Sequence, residues 1–235
     1  MPAVSSTGQG VSAAVVREVR VAPLGLAGTL SVPRGSGALV VFAHGSGSSR
    51  LSPRNVAVAT ALNRRGIATL LFDLLTLSEE SERSNVFDIP LLAERLIDTV
   101  NWIGRDRTLR DIHIGMFGAS TGAAAALVAA AQLGGRIGAI VSRGGRPDLA
   151  GAALDQIRTP TLLIVGGNDF GVIELNEQAF TRLQGPKALK IVPGASHLFP
   201  EPGTLEAVIG HAGEWFERYL GPIATPSKSG ASAGA

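Results

Sequence analysis

Residues 118–122 have the sequence GASTG, a G-x-S-x-G pattern that places a serine where it could act as a nucleophile. The apolar run 112–117 precedes the pattern and an alanine-rich stretch follows it, so Ser120 is predicted at a strand-to-helix turn. Small flanking residues let strand and helix approach closely, and a helix N-terminus favours developing negative charge. The alternative is a small-residue turn whose serine only caps the helix. The strand before it and the helix after it favour the nucleophile.

A serine hydroxyl needs a general base, and two later residues could activate Ser120. His197 follows the last apolar run of the chain, and Asp169 follows the apolar run 161–165. We expect His197 to take the proton of the serine hydroxyl. Asp169 would hold the imidazole in the correct tautomer and stabilise its charged form. The chemistry that such a set performs is acyl transfer.

Other acids and histidines compete for these two roles. Asp148 follows the preceding strand and is the alternative acid, whereas Asp155 resembles a charge on a helix face. His113 lies in the strand before the serine and His211 in the predicted last helix, where packed or surface roles are expected. His44 follows the apolar run 38–43 and is expected to support a loop.

Four features together give the sequence a family likeness: the G-x-S-x-G turn, the loop HGSGSS at 44–49, an acid after a late strand and a histidine near the end. Over residues 26–220 the chain resembles the α/β-hydrolase superfamily, most closely its dienelactone-hydrolase-like esterase branch. The resemblance implies an α/β-hydrolase fold, with a mainly parallel central sheet of about eight strands flanked by helices. Dienelactone hydrolases proper use a cysteine nucleophile. This chain has no cysteine, so their specific reaction is not expected here.

Acyl transfer also needs two N–H donors directed at the oxyanion of the tetrahedral intermediate. The residue after the nucleophile, Thr121, is expected to supply one through its backbone. By resemblance to the HG-x-G loops of the family, the backbone of Ser46 in the glycine-rich loop supplies the other.

Side chains beside the proposed acid and base could bind the substrate. Phe170, Leu198 and Phe199 could supply an apolar pocket. Arg143 and Arg146 follow a neighbouring strand, and the resemblance to dienelactone-type enzymes implies that either could hold a substrate carboxylate. Surface salt bridges are the alternative role for both arginines.

The lengths of two connections indicate how open the site is. Many lipases of the superfamily carry a helical lid after the sixth strand, but here only residues 143–159 separate two strands. We therefore expect no large cap domain and a fairly open cleft that takes small soluble esters. The long acidic segment 74–87 leaves the carboxyl end of another strand, and it forms either one wall of the cleft or a solvated surface loop.

Alternating apolar runs and helical patterns must position all of these residues. Predicted strands cover 15–21, 26–32, 38–43, 67–72, 112–117, 137–141, 161–165 and 188–192, and predicted helices cover 55–65, 89–103, 121–133, 173–183 and 205–219. This alternation predicts right-handed βαβ crossovers and a mainly parallel sheet that is covered on both faces. We expect one α/β domain over residues 13–220, with flexible segments at 1–12 and 221–235.

Composition excludes several classes of function. Of the 235 residues, 45% are hydrophobic and 17% charged, which is enough for a core and argues against global disorder. The absence of cysteine excludes disulfides and thiolate metal sites. The formal net charge is +2 without a basic block, and no apolar stretch approaches the length of a membrane span. We therefore expect neither nucleic acid nor a membrane as a partner and, without a recognisable secretory signal, a cytoplasmic location.

No cofactor and no metal ion are implied. The glycine-rich loop could be taken for a dinucleotide fingerprint, with Asp73 as the ribose ligand, but Arg50 occupies the third glycine position. No P-loop lysine follows the glycines, and the four histidines form no H-x-x-x-H pair.

The sequence therefore predicts a serine hydrolase that cleaves carboxylic esters of small soluble molecules through an acyl-enzyme, with lactones and thioesters left open. An acyltransferase or a C–C hydrolase could use the same three residues. A catalytically silent hydrolase fold that binds a ligand is the alternative from another class. The physiological substrate, the acyl length and the oligomeric state do not follow from the sequence.

Overall fold

An eight-stranded sheet forms the centre of the computed structural model, which describes residues 14–221. The strands are β1 (Val15–Val21), β2 (Leu26–Val32), β3 (Ala38–Ala43), β4 (Ala68–Phe72), β5 (His113–Ala119), β6 (Ile137–Arg143), β7 (Thr161–Gly166) and β8 (Lys187–Val192). In space they follow the order β1-β2-β4-β3-β5-β6-β7-β8. The pairs β1–β2 and β2–β4 are antiparallel, and the five remaining pairs are parallel.

Helices cover both faces of this sheet. They are α1 (Pro53–Arg64), α2 (Leu77–Glu80), α3 (Ile89–Arg105), α4 (Thr121–Leu133), α5 (Phe170–Arg182) and α6 (Thr204–Leu220). Buried side chains of α3, α4 and α5 join one apolar cluster, and those of α1 and α6 join a second cluster on the opposite face. Short 3-10 segments lie at Asn85–Phe87, Gly134–Arg136 and Pro147–Gln156.

The central strands are buried because helices lie on both of their faces. All six residues of β3 are buried, as expected for a continuous apolar run in a parallel sheet. Helix α4 is rich in alanine and lies close to the strands. A Cβ at Gly118 would collide with the backbone of Ala123, and one at Gly122 would collide with the carbonyl of Ala43. These glycines allow the helix that follows Ser120 to pack directly against β3 and β5.

The predicted α/β-hydrolase fold with about eight strands is confirmed. Helix α1 begins two residues before the predicted start, because Ser52 caps it and Pro53 occupies its first turn. Helix α2 was not predicted: Thr76 and Glu79 form a capping box inside the segment 74–87. The predicted flexible segment 1–12, and all but the first residue of 221–235, lie outside the described residues.

Candidate active site

Ser120 occupies a strained turn between β5 and α4. Its φ of 51° and ψ of −122° lie in a region that residues with a side chain rarely adopt. The backbone around it is held from the neighbouring strand, because its N–H donates to the carbonyl of Arg143 at 3.3 Å. Its own carbonyl accepts from the N–H of Arg146 at 3.1 Å. Strain of this kind persists where the surroundings fix it, and it is common at functional sites.

The glycine-rich loop 44–49 packs against this turn. A Cβ placed on Gly45 would lie 3.0 Å from Cβ of Ser120 and 3.2 Å from the carbonyl oxygen of Ala119. A side chain at Gly45 would therefore push the loop away from the serine. The loop after β3 and the turn after β5 consequently form one continuous surface at the carboxyl edge of the sheet.

His197 and Asp169, which the sequence predicts as base and acid, are in direct contact. Nδ1 of His197 lies 2.6 Å from Oδ2 of Asp169, which is the distance of a short charge-assisted hydrogen bond. The acid side chain is 16% exposed and the histidine side chain 38% exposed, so the imidazole remains accessible. The competing acid, Asp148, accepts two hydrogen bonds from Arg146 at 2.7 and 2.8 Å. The geometry therefore favours Asp169 as the partner of His197.

The loops that carry this acid and this histidine are bonded to each other. The N–H of Asn168 donates to the carbonyl of Ala195 at 2.9 Å, and its side-chain amide donates to the carbonyl of Gly194 at 3.0 Å. Phe199, two residues after the histidine, is buried in the core and has a φ of 57°. Among the described residues, the non-glycine residues with positive φ are Ser120, the candidate nucleophile, and Phe199, two residues after the candidate base.

Gly144 brings the histidine towards the serine. It follows β6, the strand beside β5, and a Cβ on it would lie 2.9 Å from the carbonyl oxygen of His197 and 3.6 Å from Nδ1 and Cε1 of the imidazole. The imidazole therefore lies over Gly144, whose preceding residue bonds the amide of Ser120. Within residues 14–221, no hydrogen bond joins Oγ of Ser120 to the imidazole of His197, whose ring nitrogen Nδ1 is paired with Asp169. Catalytic hydrogen bonds are often made only when substrate is bound.

The two residues predicted for the oxyanion hole are in contact, through the side chain of Thr121. The N–H of Ser46 donates to Oγ1 of Thr121 at 3.0 Å, and Thr121 is buried at the start of α4. The structure thus brings both residues together beside the serine. It also shows that the Ser46 amide has a partner in the hydroxyl of Thr121, which the sequence did not indicate.

His44 supports the glycine-rich loop, as predicted. Its Nδ1 lies 3.1 Å from the carbonyl oxygen of Gly45, and its Nε2 accepts the N–H of Leu74 at 3.1 Å. A carbonyl can only accept and an amide N–H can only donate, so these contacts select the neutral Nδ1–H tautomer. Burial lowers the pKa of His44, an effect that the contact with Gly45 and the charges of Asp73 and Glu80 partly oppose.

The residues predicted to bind substrate are dispersed. Arg143 is 5% exposed, and its Nη2 donates to the side-chain oxygen of Asn55 in α1 at 3.2 Å. Burial, together with the nearby charge of Arg54, lowers the pKa of Arg143 to about 10, so it remains a cation at neutral pH. Phe170 is 71% exposed and Leu198 is 45% exposed. A substrate role for these three residues stays a prediction.

A cavity of about 550 Å³ opens beside the glycine-rich loop, on the side away from Asp169 and His197. Its apolar wall is formed by Leu26, Leu74, Leu75, Leu77, Val86 and Leu92. The segment 74–87 supplies most of this wall, so the prediction that it forms one side of the cleft fits the structure. Sequence reasoning did not find the cavity, because no short motif marks residues that meet only after the chain has folded.

No helix within residues 14–221 is both long and apolar enough to cross a membrane. In the same part of the chain, acidic residues and histidines form no group of three or more that could hold a metal ion.

Comparisons with known proteins agree with this fold. Residues 36–207 match the family model described as Alpha/beta hydrolase domain. The chain belongs to the α/β-hydrolase family. It is 51% identical to a dienelactone hydrolase from Anabaena variabilis of known structure, with a TM-score of 0.85 over 89% of this chain and 99% of that one. The predicted resemblance to the dienelactone-hydrolase-like branch is thereby confirmed.

Two further comparisons bear on the family. Est1E from Butyrivibrio proteoclasticus is 18% identical, with a TM-score of 0.73 over 88% of this chain and 99% of that one, and it shares the fold. A curated Mycobacterium tuberculosis protein named a putative phosphoribosyl transferase is 55% identical over 203 residues, which is 86% of this chain. The match covers 46% of that protein, so this chain spans about half the length of the curated relatives it matches.

Proposed function

We propose that this α/β-hydrolase cleaves carboxylic esters through a covalent acyl-serine intermediate. The observation that carries the proposal is the 2.6 Å contact between His197 and Asp169. The imidazole of His197 packs against Gly144, which follows the residue that bonds the backbone of Ser120. A histidine oriented by a half-buried carboxylate and a serine at a helix N-terminus are the groups that together activate a hydroxyl for acyl transfer.

In the proposed reaction, Nε2 of His197 accepts the hydroxyl proton while Oγ of Ser120 bonds to the ester carbonyl carbon. The π electrons of the carbonyl move onto its oxygen. The backbone N–H of Thr121 and the Thr121 hydroxyl, whose oxygen accepts the Ser46 N–H at 3.0 Å, donate to that oxygen and stabilise its charge. Asp169 keeps Nδ1 protonated, so that Nε2 is the basic nitrogen. The pathway needs a movement that aligns the imidazole with Oγ, which substrate binding would provide.

Collapse of the tetrahedral intermediate then breaks the bond to the leaving oxygen. The proton on Nε2 of His197 passes to that oxygen, and the alcohol departs while the acyl group stays on Ser120. A water molecule repeats the sequence: Nε2 takes its proton, its oxygen attacks the acyl carbon, and the carboxylic acid is released as the proton returns to Oγ. No external oxidant or cofactor enters this balance.

Ester hydrolysis has alternatives that would use the same residues. An acyltransferase or a C–C hydrolase could operate with the same serine, acid and histidine, because the three residues do not determine the acceptor or the bond broken. Phosphoribosyl transfer is named for the Mycobacterium tuberculosis relatives, which are about twice the length of the matched region. It is not proposed for this chain, because a hydroxyl, an imidazole and a carboxylate are suited to acyl transfer.

The test combines an ester assay with a covalent probe. Wild type is expected to hydrolyse p-nitrophenyl esters and to be labelled by a fluorophosphonate at Ser120. Ser120→Ala should lose labelling and roughly 10³-fold or more of the rate, since the residue makes the covalent bond. Asp169→Asn should lose on the order of 10⁴-fold, since the amide favours the wrong tautomer of His197. Circular dichroism and thermal melting serve as controls for folding.

Two results would contradict this function. Folded wild type that neither reacts with the probe nor cleaves any ester would support a ligand-binding hydrolase fold. Equal activity of wild type and Ser120→Ala would remove the serine from the mechanism. Adding a primary alcohol to the assay identifies the acceptor: a hydrolase releases mainly the acid, whereas an acyltransferase releases mainly the new ester.

A further inference from the structure

The cavity beside the glycine-rich loop lies on one side of Ser120, and the histidine lies on the other. Gly45 and Ser46 line the cavity and also contact the turn of Ser120 or its neighbour Thr121. The remaining lining comes from the end of the loop after β3, from the segment 73–92 after β4, and from Arg20 in β1 and residues 25–27 at the start of β2. In the sheet order these strands lie on the opposite side of β5 from β7 and β8, whose loops carry Asp169 and His197.

This placement determines which half of an ester could enter the cavity. His197 must give its proton to the leaving alcohol, so the alcohol has to lie on the side of β7 and β8. The carbonyl oxygen faces Thr121, next to the serine. The acyl group must then extend in the remaining direction, past Gly45 and Ser46 towards β4 and β2.

The chemistry of the cavity wall is suited to an apolar, uncharged group. Six leucine and valine side chains line it, and its volume of about 550 Å³ is within the range of small-ligand pockets. At the rim, Arg50 donates to both oxygens of Asp73, at 2.8 Å from its backbone N–H and at 2.7 Å from its side chain. Arg20 and Glu80, also in the lining, carry opposite charges as well, so the formal charges of the four residues sum to zero and the cavity does not favour an anionic group.

We infer that the cavity binds the acyl half of the substrate, and that this acyl group is apolar and larger than acetyl, such as a six-carbon chain or an aromatic ring. The inference rests on the proposed function, because the direction of the acyl group follows from the role of His197. It assigns the selectivity of the enzyme to the segment 74–92, which contains none of the residues that perform the chemistry.

The experiment varies the two halves of the ester separately. One series holds p-nitrophenol constant and compares acetate with hexanoate and benzoate; the other holds acetate constant and varies the alcohol. Wild type should prefer hexanoate to acetate by about tenfold or more in kcat/KM, because each added methylene is buried. The alcohol series should show a weaker dependence.

Val86→Trp fills the cavity, and Val16→Trp makes the same change on the outer strand β1, where the side chain is 61% exposed. The first variant should lower kcat/KM for hexanoate about tenfold and for acetate less than about threefold, whereas the second should resemble wild type. Leu92→Ala, which enlarges the cavity, should favour benzoate over hexanoate more strongly than wild type does. It keeps the inference testable if Val86→Trp does not fold.

Binding to an inactive variant separates this inference from the proposed function. Ser120→Ala should bind p-nitrophenyl hexanoate more tightly than the acetate, and adding Val86→Trp should remove the difference. If wild type cleaves no ester but this binding pattern is observed, the proposed hydrolysis is wrong, whereas binding of an apolar acyl group in the cavity is supported. Equal binding of the two esters, no preference for the longer acyl group, or equal losses for both esters in Val86→Trp would overturn the cavity assignment.

Discussion

The two halves of the active-site edge are built in different ways. On the side of β5 to β8, short turns hold the proposed catalytic residues, and backbone geometry positions each of them: the positive φ of Ser120, the glycine at 144 and the hydrogen bonds between the acid and histidine loops. On the side of β3, β4 and β2, a long segment, 73–92, packs aliphatic side chains around a cavity. In the first half, backbone conformation determines the positions of the functional groups. In the second half, the volumes of the side chains determine the shape of the cavity.

Under the proposed function, the turns on the side of β5 to β8 determine whether an ester reacts, and the cavity determines which ester is preferred. Side-chain substitutions in the cavity should change which ester is cleaved while the serine remains reactive. In the other half, adding a single methyl group to a backbone turn should impair every ester alike. A cavity variant that lowers all rates equally, or a turn variant that alters acyl preference, would contradict this division between the two halves.

Gly144→Ala should have the largest effect among substitutions that leave the reacting groups themselves intact. The added Cβ would lie 2.9 Å from the carbonyl oxygen of His197, at a residue whose φ is +51°. It would displace the imidazole from the serine, and a displacement of about 1 Å can cost on the order of 100-fold in rate. Steady-state kinetics should show this loss in kcat, equally for acetate and hexanoate esters.

Gly151→Ala is the matched control for that substitution. Gly151 has a similar φ of +54°, but no atom lies within 4 Å of the position of the added Cβ. It should lose comparable stability through backbone strain while keeping its activity. If both alanine variants lose activity to the same degree, the effect belongs to backbone strain, and the placement of His197 by Gly144 is wrong.

Thr121→Val tests the boundary between the two halves and should have a smaller effect. The hydroxyl accepts the N–H of Ser46 at 3.0 Å, so its own proton can be donated towards the oxyanion. Removing it should lower kcat about tenfold with little change in KM, since the interaction forms in the transition state. Thr121→Ser, which keeps the hydroxyl, should retain most of the rate.

The opposite result would give the hydroxyl another role. If Thr121 only occupies the Ser46 amide, the valine variant releases that N–H for the oxyanion, and kcat stays constant or rises. Thermal melting of both variants shows whether loss of the hydroxyl has disturbed the packing of Thr121 at the start of α4.

The sequence predicted the fold and the acid–histidine contact for a physical reason. Buried parallel strands appear as continuous apolar runs, and the loops after them meet at one edge, so residues 49 or 28 positions apart could be placed together. The cavity could not be predicted in this way, since it depends on the capping box of Thr76 and Glu79 and on the position of residues 74–78 opposite the glycine-rich loop. Nor did the sequence indicate that Gly144 would lie beneath the imidazole, although RGG after a strand marks a turn.

His44 provides the smallest expected effect, and it connects the cavity wall to the loop beside the serine. Burial holds its pKa below the ordinary histidine value of about 6.5, so the unfolded chain takes up this proton first as pH falls. Stability from this residue should be fully present above about pH 6.5 and should decrease as pH falls towards the folded-state pKa. Protonation would also break the hydrogen bond from Leu74.

Urea unfolding between pH 5 and 8 measures this effect against His44→Gln, whose side chain can still accept the N–H of Leu74 but does not titrate. Wild type should lose more stability than the variant over the acid part of that range, and imidazole resonances in NMR should assign the lowered pKa to residue 44. Identical pH dependence in the two proteins would show that the imidazole is not held neutral by the fold. The coupling between the cavity wall and the glycine-rich loop would then rest on Arg50 and Asp73, whose contacts join the same two segments.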